Sequence, residues 1–196
     1  MFRSPPPVTQ SLIGINVIAF AAEGLLGTRW FADFMLWPVG VDFAPWQILT
    51  YGFMHGSLTH LLFNMLALYM FGSDLENVWG QRRYLTYYLS CVVSAAIAQL
   101  LVTWIMGSMY PTVGASGGVF GLLLAFGMLF PRRTVVLLIP PVPMPAWLFV
   151  TLYGLIELYL GITGSAAGVA HFAHLGGMVG GYLLIMYWRS GGRRRF

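Results

Sequence analysis

Gly114-Ala115-Ser116-Gly117-Gly118 separates a short polar break, residues 107–112, from an uncharged apolar run, residues 119–130. A hydroxyl between glycines at the mouth of a membrane-buried helix is an odd place for a serine. A second apolar run opens with His174 at a similar depth. Serine and histidine together inside a bilayer point to nucleophilic catalysis where water is scarce.

Composition supports the bilayer. The chain has 196 residues, 58% of them hydrophobic and 8% charged, with a mean hydropathy of +0.76. A soluble domain carries about 25% charged residues. The expected class is therefore an all-α, polytopic integral membrane protein, with one domain over residues 1–196. The net charge of +4 comes from arginine alone, without lysine. Those arginines lie in turns and at the tail, with no basic patch beside an aromatic platform, so nucleic acid is not an expected partner. Cys91 is the single cysteine and lies inside an apolar run, so no intrachain disulfide is possible. No internal repeat stands out, and residues 192–196 read as a solvated basic end.

A membrane span needs about 20 mostly apolar residues. Six are read here, at residues 10–26, 58–78, 84–106, 115–130, 147–163 and 169–188. The first is read as a retained helix and not a signal peptide, because five further runs follow. Arginine marks the cytoplasmic side. With Arg3 inside, Arg82, Arg83, Arg132, Arg133, Arg189 and residues 193–195 all fall inside, and only Arg29 falls outside. Both termini are then cytoplasmic, and the pattern fits a bacterial inner membrane. The loop at residues 27–57 holds Trp30, Phe31, Phe34, Trp37, Phe43 and Trp46, and is expected to form an amphipathic hairpin in the outer interface.

This topology gives the polar residues a depth. His60 lies about one turn below the outer surface, and Asn64 follows four residues later on the same helix face. Ser116 begins the fourth run, and His174 lies near the start of the sixth. At 1.5 Å per residue all four fall within roughly 10 Å of the outer interface. Gly117 and Gly121 form a small-xxx-small face on the fourth run. Gly176, Gly177, Gly180 and Gly181 form two such pairs on the sixth. Such faces let backbones approach closely. If they meet, His174 takes the Ser116 proton, and His60, the Asn64 amide and the Ser116 N–H are placed to stabilise an oxyanion.

Each feature has a plainer explanation. A lone GxSG in a span is mostly a packing motif, and a lone His or Asn is more often a hydrogen-bonded structural residue. It is the matched depth of four that favours chemistry. A metal site is the sharp alternative, since His55 and His60 are five apart and His171 and His174 three apart. No H-E-x-x-H is present and no carboxylate adjoins a histidine in sequence, so neither metal nor cofactor is expected. An aspartyl site would need two embedded Asp, and only Asp74 lies near a span.

The motifs resemble those of the rhomboid family of intramembrane serine proteases, over most of the chain. The carriers are His60-Leu61-Leu62-Phe63-Asn64, Gly114-Ala115-Ser116-Gly117, His174-Leu175-Gly176-Gly177 with Gly181, and the Gly72 to Glu76 spacing. Pro45-Trp46-Gln47 is similar to the family's first-loop signature, with Gln47 where arginine is common. Phe120 stands where many members carry tyrosine, under the histidine ring. The resemblance implies a Ser116–His174 dyad without an acidic third member, with oxyanion support from His60 and Asn64. Gly114, Gly117, Phe120, Gly177 and Gly181 would support the site. It favours His174 over its competitor His171, which is expected at the rim. It also implies transmembrane protein substrates and a lateral gate at residues 147–163, loosely attached behind Pro140, Pro141, Pro143 and Pro145.

Glu157, inside the fifth run, is read either as a protonated or hydrogen-bonded packing residue or as part of that gate. His55 is read as tying the loop to the second span. Two other classes remain as alternatives: an inactive rhomboid-like module that binds transmembrane clients, and a small transporter, which would need a polar path across the inner half. The sequence leaves the oligomeric state open.

Overall fold

The computed structural model describes residues 4–138, 140–164 and 170–191. The arginines at positions 3 and 193–195, residue 169 of the sixth run and most of the loop before it lie outside the described residues. The chain is mostly helical. Its elements are α1 (Pro7–Leu26), α2 (Gln47–Thr50), α3 (Leu58–Ala67), α4 (Ser73–Trp79), α5 (Gln81–Met106), α6 (Ser116–Leu129), strands β1 (Thr134–Leu138) and β2 (Pro141–Pro145), α7 (Ala146–Thr163) and α8 (His171–Ser190).

Among the described residues, three helices, Pro7–Leu26, Gln81–Met106 and Ala146–Thr163, are long and apolar enough to cross a membrane by length and composition. The other apolar runs differ from their expected form. The run at 58–78 is broken: a π-helical segment, Leu68–Gly72, separates α3 from α4. Gly72 lies there because a Cβ would strike the Tyr84 hydroxyl. The run at 115–130 gives the 14-residue α6, about 21 Å long. The all-α expectation also missed a β-hairpin. In β2 prolines alternate with Val142 and Met144, and these two residues pair with Leu137 and Val135 of β1. Proline lacks an N–H, so alternation leaves the donors on one side of the strand. The prolines therefore do not loosen this end of α7. The Ala146 N–H donates to the Arg133 carbonyl at 2.9 Å and holds the helix start to the hairpin base.

The centre of the bundle is α5. Tyr84, Tyr87, Tyr88, Cys91 and Ala95 on it are completely buried, packed with Leu68, Leu75, Leu122 and Ile185. Tyrosine hydroxyls in this core need acceptors. Tyr87 donates to the Gly121 carbonyl at 2.8 Å and Tyr51 to the Val92 carbonyl at 2.9 Å. The outer surface is the reverse of a soluble protein's, with Ile18, Leu25, Ile97, Leu101, Trp104, Leu155, Ile162 and Leu183 exposed. Apolar exposure on that scale needs lipid or another apolar partner to cover it.

Polar chemistry is separated between the two ends. At one end Arg83 lies 4.3 Å over the Trp188 ring, and Arg133 pairs with Asp74 at 2.9 Å. Here Glu76, buried on α4, accepts from the Val8 N–H at 2.9 Å, the Thr9 N–H at 2.7 Å and the Thr9 hydroxyl at 2.8 Å. A carboxylate thus satisfies the orphan donors at the positive end of α1. The starts of α3, α6 and α8 lie at the opposite end.

The long first loop folds as helical turns and not as a hairpin of strands. Thr28–Phe34 is a 3-10 segment, and Leu36 exchanges backbone bonds of 3.0 and 2.9 Å with Thr112. Gln47 is buried and holds this loop together. Its amide nitrogen donates to the carbonyls of Asp42 at 3.0 Å and Asp33 at 3.3 Å, and its oxygen accepts from the Trp37 N–H at 3.1 Å. A neutral amide can both donate and accept, so no ion pair is needed at this position.

Candidate active site

Local structure fixes the serine first. The Gly114 N–H donates to the Tyr51 carbonyl at 3.0 Å, and Gly114 adopts φ +131°, a conformation that disfavours any side chain. The chain then turns into α6, whose first residue is Ser116. Its backbone N–H belongs to the unpaired donors of a helix start. A Cβ on Gly114 would collide with the His60 ring and lie 3.5 Å from Ser116 Oγ, so the glycine is the gap between those two side chains.

Histidine reaches the serine because α8 and α6 nearly touch. A Cβ on Gly177 would land on the Gly117 carbonyl, and one on Gly121 would reach Cys91 and the Gly177 carbonyl. The second glycine pair serves another neighbour: Gly176 and Gly180 face Ala98 and Ser94 of α5, and Ser94 Oγ donates to the Gly176 carbonyl at 2.8 Å. With the backbones this close, His174 Nε2 lies 2.8 Å from Ser116 Oγ. Phe120, one turn along α6, stacks under the imidazole at 4.3 Å between centroids and 5° between planes.

The other side of the imidazole departs from expectation. His174 Nδ1 lies 2.8 Å from Glu157 Oε2 of α7, so an acidic third group is present where none was expected. The same oxygen lies 2.6 Å from His171 Nδ1. His171 is buried and not a rim residue. Glu157, His171 and His174 are a conceivable metal set, with ligand atoms within 4.8 Å of one another. An ion bound by imidazole nitrogens and a carboxylate sits about 2.0–2.2 Å from each. The oxygen-to-nitrogen distances here are instead those of direct hydrogen bonds.

His60, Ser116, His171 and His174 line one cavity of about 830 Å³, with Gln99 and Gly161. Ser57 caps α3 by accepting from the His60 N–H at 3.2 Å, which fixes where His60 starts on its helix. Asn64 lines a second, apolar cavity of about 350 Å³ with Phe63, Phe120, Phe149 and Tyr153. Its amide nitrogen donates to the His60 carbonyl at 3.1 Å. Ser116, His174 and His60 thus meet in one space, with Asn64 alongside. His55, outside the apolar run, is buried edge-on to His60 at 5.1 Å. Burial, reinforced by the neighbouring His60, pushes its pKa down to about 4.

A mostly helical bundle with an apolar outer surface, and a serine hydrogen-bonded to a histidine near one end, fits an integral membrane protein. Comparison with known proteins identifies the family. The rhomboid domain matches residues 42–190. The mitochondrial Rhomboid protein 1 of Saccharomyces cerevisiae is 30% identical over 193 residues, covering 93% of this chain and 54% of that protein. Rhomboid protease GluP of Bacillus subtilis is 30% identical over 70% of this chain and 25% of its own length. Rhomboid protease GlpG of Pectobacterium atrosepticum is 26% identical over 93% and 62%. The chain spans about half or less of the length of the first two relatives. It belongs to the rhomboid family.

Proposed function

We propose that this protein is an intramembrane serine endopeptidase that cleaves transmembrane segments of other membrane proteins near the outer interface. The observation that carries the reading is the 2.8 Å approach of His174 Nε2 to Ser116 Oγ, with the imidazole plane held against Phe120. In this reading His174 takes the hydroxyl proton as Ser116 attacks a peptide carbonyl, then returns it to the departing amine. The oxyanion is met by the Ser116 N–H, aided by the helix N-terminus, with His60 and Asn64 as side-chain donors. Water then releases the acyl group. No cofactor takes part.

The architecture proposed is six spans, with the broken α3–α4 pair, the short α6 and α8 crossing beside the three long apolar helices. Arginine on the Arg83–Arg133 end supports a reading in which both termini are on the cytoplasmic side of a bacterial inner membrane. Relatives occur in bacteria and in mitochondria, so the arginine asymmetry and not kinship supports this orientation. A substrate helix must unwind to present its carbonyls, because its backbone bonds are internal. Entry between α7 and α3, through the apolar cavity beside Asn64, is proposed as the route. Purified protein in proteoliposomes should cleave a reporter transmembrane substrate, and Ser116→Ala should not. Binding without cleavage by the unaltered chain would favour an inactive client-binding module instead.

A further inference from the structure

We propose that Glu157 is a positioning residue for the Ser116–His174 pair, so that the site works as a serine–histidine–glutamate relay assembled from α6, α8 and α7. The proposal rests on the reading of Ser116 and His174 as the reacting pair.

The geometry is specific. Glu157 Oε2 lies 2.8 Å from His174 Nδ1 and 2.6 Å from His171 Nδ1, and the three side chains are each 10% exposed or less. A carboxylate accepts hydrogen bonds and cannot donate them. With Glu157 ionised, both Nδ1 atoms carry their protons. In the neutral ring that leaves a lone pair on Nε2 of His174, facing Ser116 Oγ at 2.8 Å. It is the tautomer that a general base needs. Phe120 sets the plane of the ring by stacking and Glu157 sets its rotation within that plane, so two contacts from two helices leave the imidazole one orientation.

The carboxylate would act again once the proton moves. As Ser116 attacks, its proton passes to Nε2 and His174 becomes an imidazolium, charge-balanced by the adjacent Glu157 in a medium of low dielectric constant. Glu157 keeps its own state throughout and touches no reacting atom. His171 has a supporting part. By donating to the same oxygen it fixes Oε2 on the line of His174 Nδ1. An embedded carboxylate carries a high solvation cost, and two imidazole donors supply the compensation. The placement on α7 adds a consequence: any movement of this helix away from α8 lengthens the Glu157–His174 contact and leaves the base misoriented.

The test compares Glu157→Gln, Glu157→Ala and Glu157→Asp with Ser116→Ala and His174→Ala, all as full chains in proteoliposomes with a reporter transmembrane substrate. Glu157→Gln and Glu157→Ala should lower kcat by about 10- to 1000-fold with KM within about threefold, and Glu157→Asp should recover part of that kcat. Nitrogen-15 NMR of labelled histidine should show His174 protonated at Nδ1, with that preference lost in Glu157→Gln. The spectrum reads the tautomer independently of activity. Unchanged kcat and an unchanged tautomer in Glu157→Gln, beside inactive Ser116→Ala and His174→Ala, would overturn the proposal and leave the proteolytic reading standing. Retained cleavage in Ser116→Ala would instead overturn the proteolytic reading itself. Stoichiometric zinc held by the unaltered chain and lost in Glu157→Gln would overturn the positioning proposal, by making the three residues a metal site.

Discussion

Gly177 of α8 lies so close to Gly117 of α6 that a Cβ at position 177 would land on the Gly117 carbonyl, while a Cβ at position 117 would strike Ala95 of α5. The contact is one turn beyond His174 and one residue beyond Ser116, so it sets the distance between the two functional groups. Gly177→Ala should force α8 outward. Overpacking of this kind costs about 1–3 kcal/mol, and the expected result is a lower thermal midpoint in detergent together with loss of cleavage. A Gly177→Ala protein with full activity would show that the close approach is not what holds the pair.

Phe120 and His174 are stacked in parallel. Phe120→Ala removes the surface that fixes the ring plane. Aromatic contacts of this kind contribute about 0.5–1.5 kcal/mol, and roughly tenfold in rate corresponds to 1.36 kcal/mol. The expected loss in kcat is therefore about 3- to 10-fold, with Phe120→Tyr near the unaltered value. Steady-state cleavage of a soluble reporter peptide measures it.

His55 gives a pH signature separate from the reacting pair. Its pKa is about 4 in the fold and about 6.5 in an unfolded chain. Between those values the unfolded state binds more protons, so stability falls as pH drops from about 6.5 to about 4 and is complete above 6.5. The shift corresponds to as much as about 3 kcal/mol. Thermal midpoints from pH 7.5 to pH 4 should decline, and His55→Gln should flatten that part of the curve.

Gate movement is tested by tying α7 to α3. A cysteine pair across the cavity lined by Phe63 and Tyr153 can be oxidised without interference from Cys91, which is buried. Cross-linking should stop cleavage of a transmembrane substrate while a small fluorophosphonate still labels the protein. Unchanged cleavage after complete cross-linking would remove the gate from the account.

The site was legible in the sequence where position alone carried it. Ser116 and His174 fall at one depth, and the small-residue faces of the fourth and sixth runs permit close approach, so their meeting could be argued from depth and spacing. Phe120 was expected under the histidine ring through the family resemblance alone. Glu157 was not legible as a partner. It is 17 residues from His174, and the intervening turn gives no hint that α7 and α8 bring both histidines to one carboxylate oxygen. His171 was misplaced at the rim because sequence depth says nothing of rotation about the helix axis. Gln47 read as a lost arginine, yet its amide bonds three backbone groups. The β-hairpin was hidden because alternating prolines look like a disordered linker until a partner strand pairs with the residues between them. The π-segment after Ala67 was likewise invisible, since hydropathy runs unbroken through it.

The central claim is that Ser116 is a nucleophile activated by His174. Incubation with a fluorophosphonate, digestion and mass spectrometry locate the adduct directly. The account predicts one adduct, on the peptide containing Ser116, absent in Ser116→Ala and slowed by at least about 1000-fold in His174→Ala. Labelling at another residue, or labelling of Ser116 at full rate without His174, would contradict it.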